Sequence, residues 1–253
     1  MRIVYLANNR LGVEVLKLLK AEGEALVGLG LHPPSRRAFG DDLLEIAGLD
    51  PEQILPGESI CSRETIARLR VMEPDMIVSI LFGYILSPEV LEIPEVGCIN
   101  LHPSYLPYNR GTYPNVWSIV EGTPAGVTLH YIDKGVDTGA IIAQKEVEVL
   151  PTDTGETLYR KLERASIDLF AESWPRIRDG RLDCLTQHPE EGTCHRVKDV
   201  ERIDCIDLDA RYTGRYLIDV LRARTFPPHR GAYFEVDGRR VYMRLDLQYE
   251  EDF

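Results

Sequence analysis

The opening of the chain alternates short apolar runs with a helix-period segment, and this alternation restricts the fold more than any other feature. Arg2 to Ala7 is a mostly apolar run of strand length. Asn8-Asn9-Arg10-Leu11-Gly12 reads as a turn, after which Val13, Val15, Leu16, Leu18 and Leu19 fall largely at helical spacing. Ala25 to Leu31 is a second strand. A strand, a crossover helix and another strand make a βαβ unit, which builds parallel sheet and places ligand sites at strand C-termini. The first loop lacks the full Gly-rich dinucleotide fingerprint.

The alternation continues downstream. His32 to Leu55 is rich in Pro, Arg and Asp and has no clear period, but Arg63 to Met72 is helical and Met76 to Leu81 is an apolar strand broken only by Ser79. Phe82 to Leu86 leaves that strand, Pro88 to Leu91 offers a short helix, and Gly97 to His102 is the next strand. Val127 to Ile132 and Ile141 to Val149 are two more. Thr154 to Ile177 is the longest helical segment, with Thr154 as N-cap and Gly180 as stop. After Asp183 the character changes. Arg211 to Arg224 is helical, Phe226-Pro227-Pro228 breaks it, and Ala232 to Val236 and Arg240 to Leu247 flank Asp237-Gly238, a two-residue hairpin signal. The expected organisation is an α/β domain with a parallel sheet, followed by a small appended module at about residues 184–253.

Composition excludes several function classes. A chain of 253 residues with 44% hydrophobic content can build a full core. No stretch approaches the ~20 apolar residues of a membrane span, and Met1 to Leu6 is too short and too soon interrupted for a signal peptide. A cytoplasmic protein without membrane contact is expected. Five scattered cysteines, Cys61, Cys98, Cys184, Cys194 and Cys205, form no pair at metal-ligand spacing and suggest reduced thiols. A net charge of -12 opposes binding of a nucleic acid, whose affinity rests on Lys and Arg neutralising phosphates. A small anionic substrate is still compatible through local arginines.

Candidate chemistry centres on Asn100, His102 and Asp137. Residues two apart on a strand project to one side, so Asn100 and His102 face one site, and Pro103 ends the ladder beside them. His102 can accept a proton near neutral pH, and a carboxylate such as Asp137, in the Gly135-Val136-Asp137-Thr138-Gly139 turn, can orient it. The Asn100 amide can stabilise an oxyanion on a carbonyl under attack. The set suits acyl transfer to a nucleophile held by the pocket. No Gly-x-Ser-x-Gly elbow suggests an acyl-enzyme, and neither His102 nor His130 has the companions of a zinc site, so no catalytic metal is expected.

The segment Asn100-Leu101-His102-Pro103-Ser104-Tyr105-Leu106-Pro107, followed by Arg110-Gly111 and by Asp137 in its glycine-flanked turn, resembles the 10-formyltetrahydrofolate-dependent formyltransferase family. Gly126 to Asp133 fits the same pattern, and the likeness runs over about residues 1 to 180. The resemblance implies an α/β, Rossmann-like formyltransferase catalytic domain over residues 1–183 with a mostly parallel mixed sheet and a small α+β module over 184–253, with Asn100, His102 and Asp137 as catalytic trio and formyl folate as co-substrate. It leaves both His102 and Asp137 as candidates for the principal base. It also implies a pterin loop at Phe82, Gly83, Tyr84, Ile85 and Leu86, faced by a second wall including Ile132 and Val136. His130, seven residues before Asp137, is spaced like a second pocket histidine of the purine-pathway members.

The family divides by acceptor: glycinamide ribonucleotide, methionyl-tRNA, or a nucleotide-linked amino sugar. The first loop is not Gly-rich as in the purine enzymes, and the chain after residue 184 is shorter than in the tRNA enzymes and acidic overall. Cys194 to Asp199, Phe226 to Tyr233 and Tyr105 to Trp117 resemble the short sugar N-formyltransferases, particularly those acting on 4-amino-4,6-dideoxy sugars in O-antigen, lipopolysaccharide or related glycan synthesis. In that group the tail serves homodimer contacts. Asn9, Arg10, Tyr105, Arg110, Tyr113 and His130 are the candidate contacts to the sugar nucleotide, Arg110 being equally suited to tying down its own turn. A binding module for folate or nucleotide sugar that has lost turnover is the alternative of a different class.

Overall fold

The computed structural model describes residues 1–252. Its elements in order are β1 (Arg2–Ala7), α1 (Asn9–Ala21), β2 (Ala25–Leu31), α2 (Gly40–Ala47), β3 (Ile54–Pro56), α3 (Arg63–Met72), β4 (Met76–Ile80), α4 (Pro88–Leu91), β5 (Gly97–His102), β6 (Arg110–Gly111), α5 (Pro114–Glu121), β7 (Gly126–Tyr131) and β8 (Ile141–Glu146). They continue as α6 (Gly155–Arg178), β9 (Cys194–His195), α7 (Glu201–Asp204), α8 (Gly214–Ala223), β10 (Tyr233–Val236) and β11 (Arg239–Tyr242). The chain forms two compact units that interleave in sequence. The first comprises Met1–His102, Thr128–Gln144 and Ser166–Gln187; the second comprises Pro103–Val127, Lys145–Ala165 and His188–Phe253.

The first unit is built on a seven-stranded sheet of order β3-β2-β1-β4-β5-β7-β8. β3, β2, β1, β4 and β5 run parallel, whereas β7 is antiparallel to β5. The expected mostly parallel mixed sheet is therefore present. Parallel strands buried on both faces need near-continuous apolar sequence. Ile3 to Ala7 and Met76 to Ile80 are buried throughout, Ser79 being the one polar residue of the two runs. Helix α1 starts at Asn9, one turn earlier than the sequence pattern indicates. Asn8 leaves the helix end uncapped; its Oδ1 accepts from Ala38 N–H at 2.8 Å and its Nδ2 donates to the Arg36 carbonyl at 3.3 Å. Gly12 lets this helix approach β1, since a Cβ there would lie 2.9 Å from that of Ala7. The Tyr5 hydroxyl donates to the Gly12 carbonyl at 2.6 Å across the same contact.

Beyond the sheet, the later half of α6 seals the core with Phe170 stacked on Trp174 at 5.3 Å, and the Trp174 indole N–H donates to Glu24 at 3.0 Å. The aperiodic 32–55 stretch holds α2 and β3, two short elements that the sequence pattern does not reveal.

The second unit has a smaller core of Ile206, Val220 and Ala232, against which Val120, Ile203, Leu217, Leu221 and Met243 pack. Buried Asn109 ties its loops together: its Nδ2 donates to Ser118 at 3.0 Å and Thr123 at 2.8 Å, and its Oδ1 accepts from Thr193 at 3.1 Å. β6 pairs parallel with β9, and β10 pairs antiparallel with β11 through Asp237 and Gly238, both at positive φ as a type I′ turn demands. Among the described residues no helix is long and apolar enough to cross a membrane.

Candidate active site

The change from parallel to antiparallel pairing at β5 creates a polar row across an otherwise apolar sheet. Asn100 stands in register with Ser79 on β4 and with His130 on β7. His102 lies two residues further along β5 and so projects to the same side as Asn100. Three polar side chains thus meet where the strand ends.

The Asn100 amide is the hub. Its Nδ2 lies 3.3 Å from His130 Nε2 and 3.5 Å from Asp137 Oδ1. Burial holds the His130 ring below the ordinary histidine range, against the opposing pull of Asp137, so the ring is neutral at pH 7. Its Nδ1 sits 2.8 Å from the Tyr131 carbonyl, which requires the proton on Nδ1 and leaves Nε2 as acceptor from Asn100. His130 therefore fixes which end of the Asn100 amide faces Asp137. His102 Nε2 stands 3.6 Å from Asp137 Oδ2, and His130 Nε2 stands 3.6 Å from Oδ1. The side chains are 8% exposed for His102, 2% for His130 and 15% for Asp137, so the carboxylate acts on the two rings through little water.

Asp137 reaches this row on a braced loop. The loop is closed where Tyr131 N–H donates to the Ala140 carbonyl at 2.9 Å. Inside it, Asp133 Oδ1 accepts from Gly135 N–H at 2.9 Å and from the Thr138 hydroxyl at 2.6 Å. Asp137 itself has φ of 53°, a left-handed conformation that costs a non-glycine residue about 1 kcal/mol or more. Gly139 is confined by the same closure, because a Cβ there would meet the Tyr131 carbonyl oxygen at 1.9 Å. Gln187 holds the outside of the turn, its Nε2 donating to the carbonyls of Asp137 at 3.1 Å and Gly139 at 2.6 Å.

The other candidate residues fall in several environments. Phe82 and Leu86 are buried core residues, whereas Gly83, at φ of 72°, and Ile85, 79% exposed, form the accessible part of that loop. Tyr84 and Ile132 pack partly buried on the same apolar cluster as Phe82 and Leu86, and Val136 is exposed. His32 contacts the Phe82 carbonyl through Nε2 and stands in edge contact with the Phe82 ring. Asn9, at φ of 64°, and exposed Arg10 open α1 in the first unit. Tyr105, Arg110 and Tyr113 belong to the second unit. There Arg110 N–H donates to the Thr193 carbonyl at 3.0 Å, and Tyr113 precedes α5 with φ of 57°.

Sequence reasoning did not single out Ser79, Asp133 or Gln187 as parts of this site. Ser79 carried a signal as the lone polar residue of its strand, and Asp133 as the first residue of an Asp-x-Gly turn. Gln187 carried none. Among the described residues no group of three or more His, Cys, Asp and Glu side chains is arranged to hold a metal ion.

An oriented amide, an imidazole and a carboxylate at a strand end can stabilise an oxyanion and move a proton, and comparison with known proteins agrees with that chemistry. Residues 49–173 match the family described as formyl transferase, and residues 199–249 match the N-formyltransferase dimerization C-terminal domain. A dTDP-4-amino-4,6-dideoxyglucose formyltransferase of Mycobacterium tuberculosis is 38% identical over 62% of this chain and 67% of its own length. A methionyl-tRNA formyltransferase of Caldanaerobacter subterraneus is 31% identical over 95% of this chain and 79% of its own. Among solved structures, a 4-N formyltransferase from Francisella tularensis superposes with a TM-score of 0.81 at 26% identity, covering 98% of both chains. A formyltransferase from Anoxybacillus kamchatkensis, in complex with UDP-4,6-dideoxy-4-formamido-L-AltNAc and tetrahydrofolate, gives a TM-score of 0.59 at 33% identity over 80% of this chain and 89% of that one. With this identity extending over most of the length of its relatives, the chain belongs to the formyltransferase family.

Proposed function

We propose that the chain moves a formyl group from 10-formyltetrahydrofolate to the amine of a nucleotide-linked 4-amino-4,6-dideoxy sugar. The observation that carries the reaction is the meeting of Asn100, His102 and Asp137 at the end of β5, with the amide held by His130. The acceptor rests on the 38% identity to a relative named for a dTDP-linked 4-amino-4,6-dideoxyglucose, and the Anoxybacillus complex supports both the folate and the sugar nucleotide.

The co-substrate supplies the formyl carbonyl carbon. Exposed Ile85 and Val136, partly buried Tyr84 and Ile132, and the backbone turned outward at Gly83 offer the apolar faces and polar main chain that a pterin needs. Phe82 and Leu86 act by holding that loop on the core. As the amine attacks, Asn100 Nδ2 and His102 donate to the formyl oxygen while it gains charge. The Asp137–His102 pair takes the proton released when the new C–N bond forms and returns it to the folate nitrogen when the old bond breaks. Asn9, Arg10, Tyr105, Arg110, Tyr113 and His130 are the proposed acceptor-side residues, His130 through its bond to Asn100.

We assign the catalytic trio and its domain to residues 1–183, with Gln187 just beyond that boundary bracing the Asp137 turn, and a homodimer contact to the module at 184–253. The match of residues 199–249 to a dimerization domain supports that contact, as do the exposed Val236, Val241 and Tyr242 of the β10–β11 hairpin. The exposed free thiols of Cys61, Cys184, Cys194 and Cys205 suit the reducing cytoplasm. The product then serves lipopolysaccharide O-antigen or related glycan synthesis.

Formylation of methionyl-tRNA is the second reading, favoured by the match along 95% of the chain and opposed by its net charge of -12. The test is to supply 10-formyltetrahydrofolate with dTDP-, UDP- and GDP-linked 4-amino-4,6-dideoxy sugars, glycinamide ribonucleotide or charged initiator tRNA, and to follow tetrahydrofolate release. Release with a nucleotide sugar is expected. Release only with tRNA or the ribonucleotide overturns the sugar acceptor, and folate binding without release for any acceptor points to a non-catalytic binding module.

A further inference from the structure

Gln187 stands fifty residues beyond Asp137, and its hydrogen bonds go to the Asp137 turn. Both of its recorded hydrogen bonds go to main-chain carbonyls of one turn: Nε2 donates to Asp137 O at 3.1 Å and to Gly139 O at 2.6 Å. An amide group offers only two N–H donors, and here both serve the turn that carries the carboxylate. The residue is 7% exposed, and its Oε1 is buried without a hydrogen-bond partner among the described residues. The segment is itself fixed to the sheet, because Leu185 exchanges hydrogen bonds of 2.8 and 2.9 Å with Ile141 at the start of β8. Gln187 thus connects an anchored backbone to the left-handed residue that carries the carboxylate, while Asp133 braces the same turn at Gly135 and Thr138.

We propose that Gln187 is a positioning residue for formyl transfer: by clamping the carbonyls of residues 137 and 139 it sets where the Asp137 carboxylate stands relative to His102 and Asn100. The inference rests on the proposed role of Asp137. A displacement of about 1 Å in a reacting group costs on the order of 100-fold in rate. Removal of the clamp is therefore expected to lower kcat about 10- to 100-fold while leaving KM for the formyl folate and for the sugar nucleotide within about twofold.

Gln187→Leu is the informative substitution, since it keeps the side-chain volume and removes the unpartnered Oε1 together with the two donors. The thermal midpoint is expected to stay close to that of the unaltered protein while kcat falls, a separation that a purely structural residue would not give. A double-mutant cycle with Asp137→Asn locates the effect. If Gln187 acts through Asp137, adding Gln187→Leu to Asp137→Asn costs less than threefold further. Unchanged kcat in Gln187→Leu, or losses that multiply in the double variant, overturns the proposal. Should Gln187→Leu fail to fold, Gln187→Met serves in its place with the same readouts. Failure of the underlying reading is distinct: Asp137→Asn alone would then leave formyl transfer intact.

Discussion

Replacing Asn100 by Asp tests the site at its hub with almost no change in shape. The substitution removes the amide N–H that lies between His130 and Asp137, and loss of one oxyanion donor costs about 100- to 1000-fold in kcat. It also sets a second carboxylate where Nδ2 now stands, 3.5 Å from Asp137 Oδ1. At an effective dielectric of about 20 two unit charges at that spacing repel by about 5 kcal/mol, so the pair retains one proton well into the neutral range. That proton has opposite effects at its two places: on residue 100 it restores a donor, which carries the expected recovery, and on Asp137 it removes the base, which limits it. Activity relative to the unaltered enzyme is therefore expected to be at least 100-fold down at pH 8 and to recover about tenfold as pH falls from 9 to 6. Asn100→Leu removes the donor without adding charge, and its relative activity should be low and flat with pH. Tetrahydrofolate release at saturating acceptor measures both. An Asp variant within tenfold of the unaltered enzyme at pH 8, or Asp and Leu variants with the same pH dependence, would refute the assignment.

Three further perturbations address the frame around that hub. His130 is held neutral by burial, so acid protonates the unfolded chain first: its contribution to stability is complete above about pH 6.5 and is lost as pH falls toward the lowered folded value. His32, lowered by burial as well, acts with the same sign; urea midpoints at pH 5 and 7 should differ less in His130→Asn than in the unaltered protein. Gly139→Ala must move the turn, because its Cβ would sit 1.9 Å from the Tyr131 carbonyl oxygen; kcat is expected to fall about 100-fold with unchanged far-UV circular dichroism. Trp174→Ala empties a site only 1% exposed and leaves Glu24 without its indole donor, which should cost about 3–5 kcal/mol and lower the thermal midpoint by about 10 °C without altering KM.

What the sequence discloses depends on whether an element announces itself locally. β1, β2, β4, β5 and α3 are long enough, and regular enough in apolar spacing, to be read within a residue or two. The hairpin at Asp237-Gly238 is legible for the same reason, since that dipeptide tolerates the two positive φ values the turn needs. Helices α2 and α5 are not: each has eight residues and follows a residue in the left-handed conformation, Phe39 or Tyr113, so neither shows a side-chain cap. Strands β6 and β9 have two residues each and pair across 84 positions, and the interleaving of the two units likewise rests on contacts with no local pattern. The trio was legible because Asn100 and His102 share a strand face and Asp137 sits in a glycine-flanked turn. The orientation of the amide by His130 was not, because it depends on which strand lies beside β5 and in which direction.

That direction carries the chemical consequence. A sixth parallel strand beside β5 would have continued the slanted ladder of the sheet and put its following loop at the C-terminal edge of β5, where His102 stands, with no strand end beside Cys98. Antiparallel β7 instead places His130 directly opposite Asn100 and hands the chain on at Ile132, whose N–H donates to the Cys98 carbonyl at 2.7 Å. From there the braced turn brings Asp137 back within 3.6 Å of His102. The neutral state of His130 is essential to this arrangement. A protonated ring would donate from Nε2 to Asp137, 3.6 Å away, and would release the Asn100 amide that its lone pair now orients. Burial of His130 thus does two things with one physical cause: it withholds a competing cation from the carboxylate, and it keeps an acceptor beside the amide that we propose as the oxyanion donor.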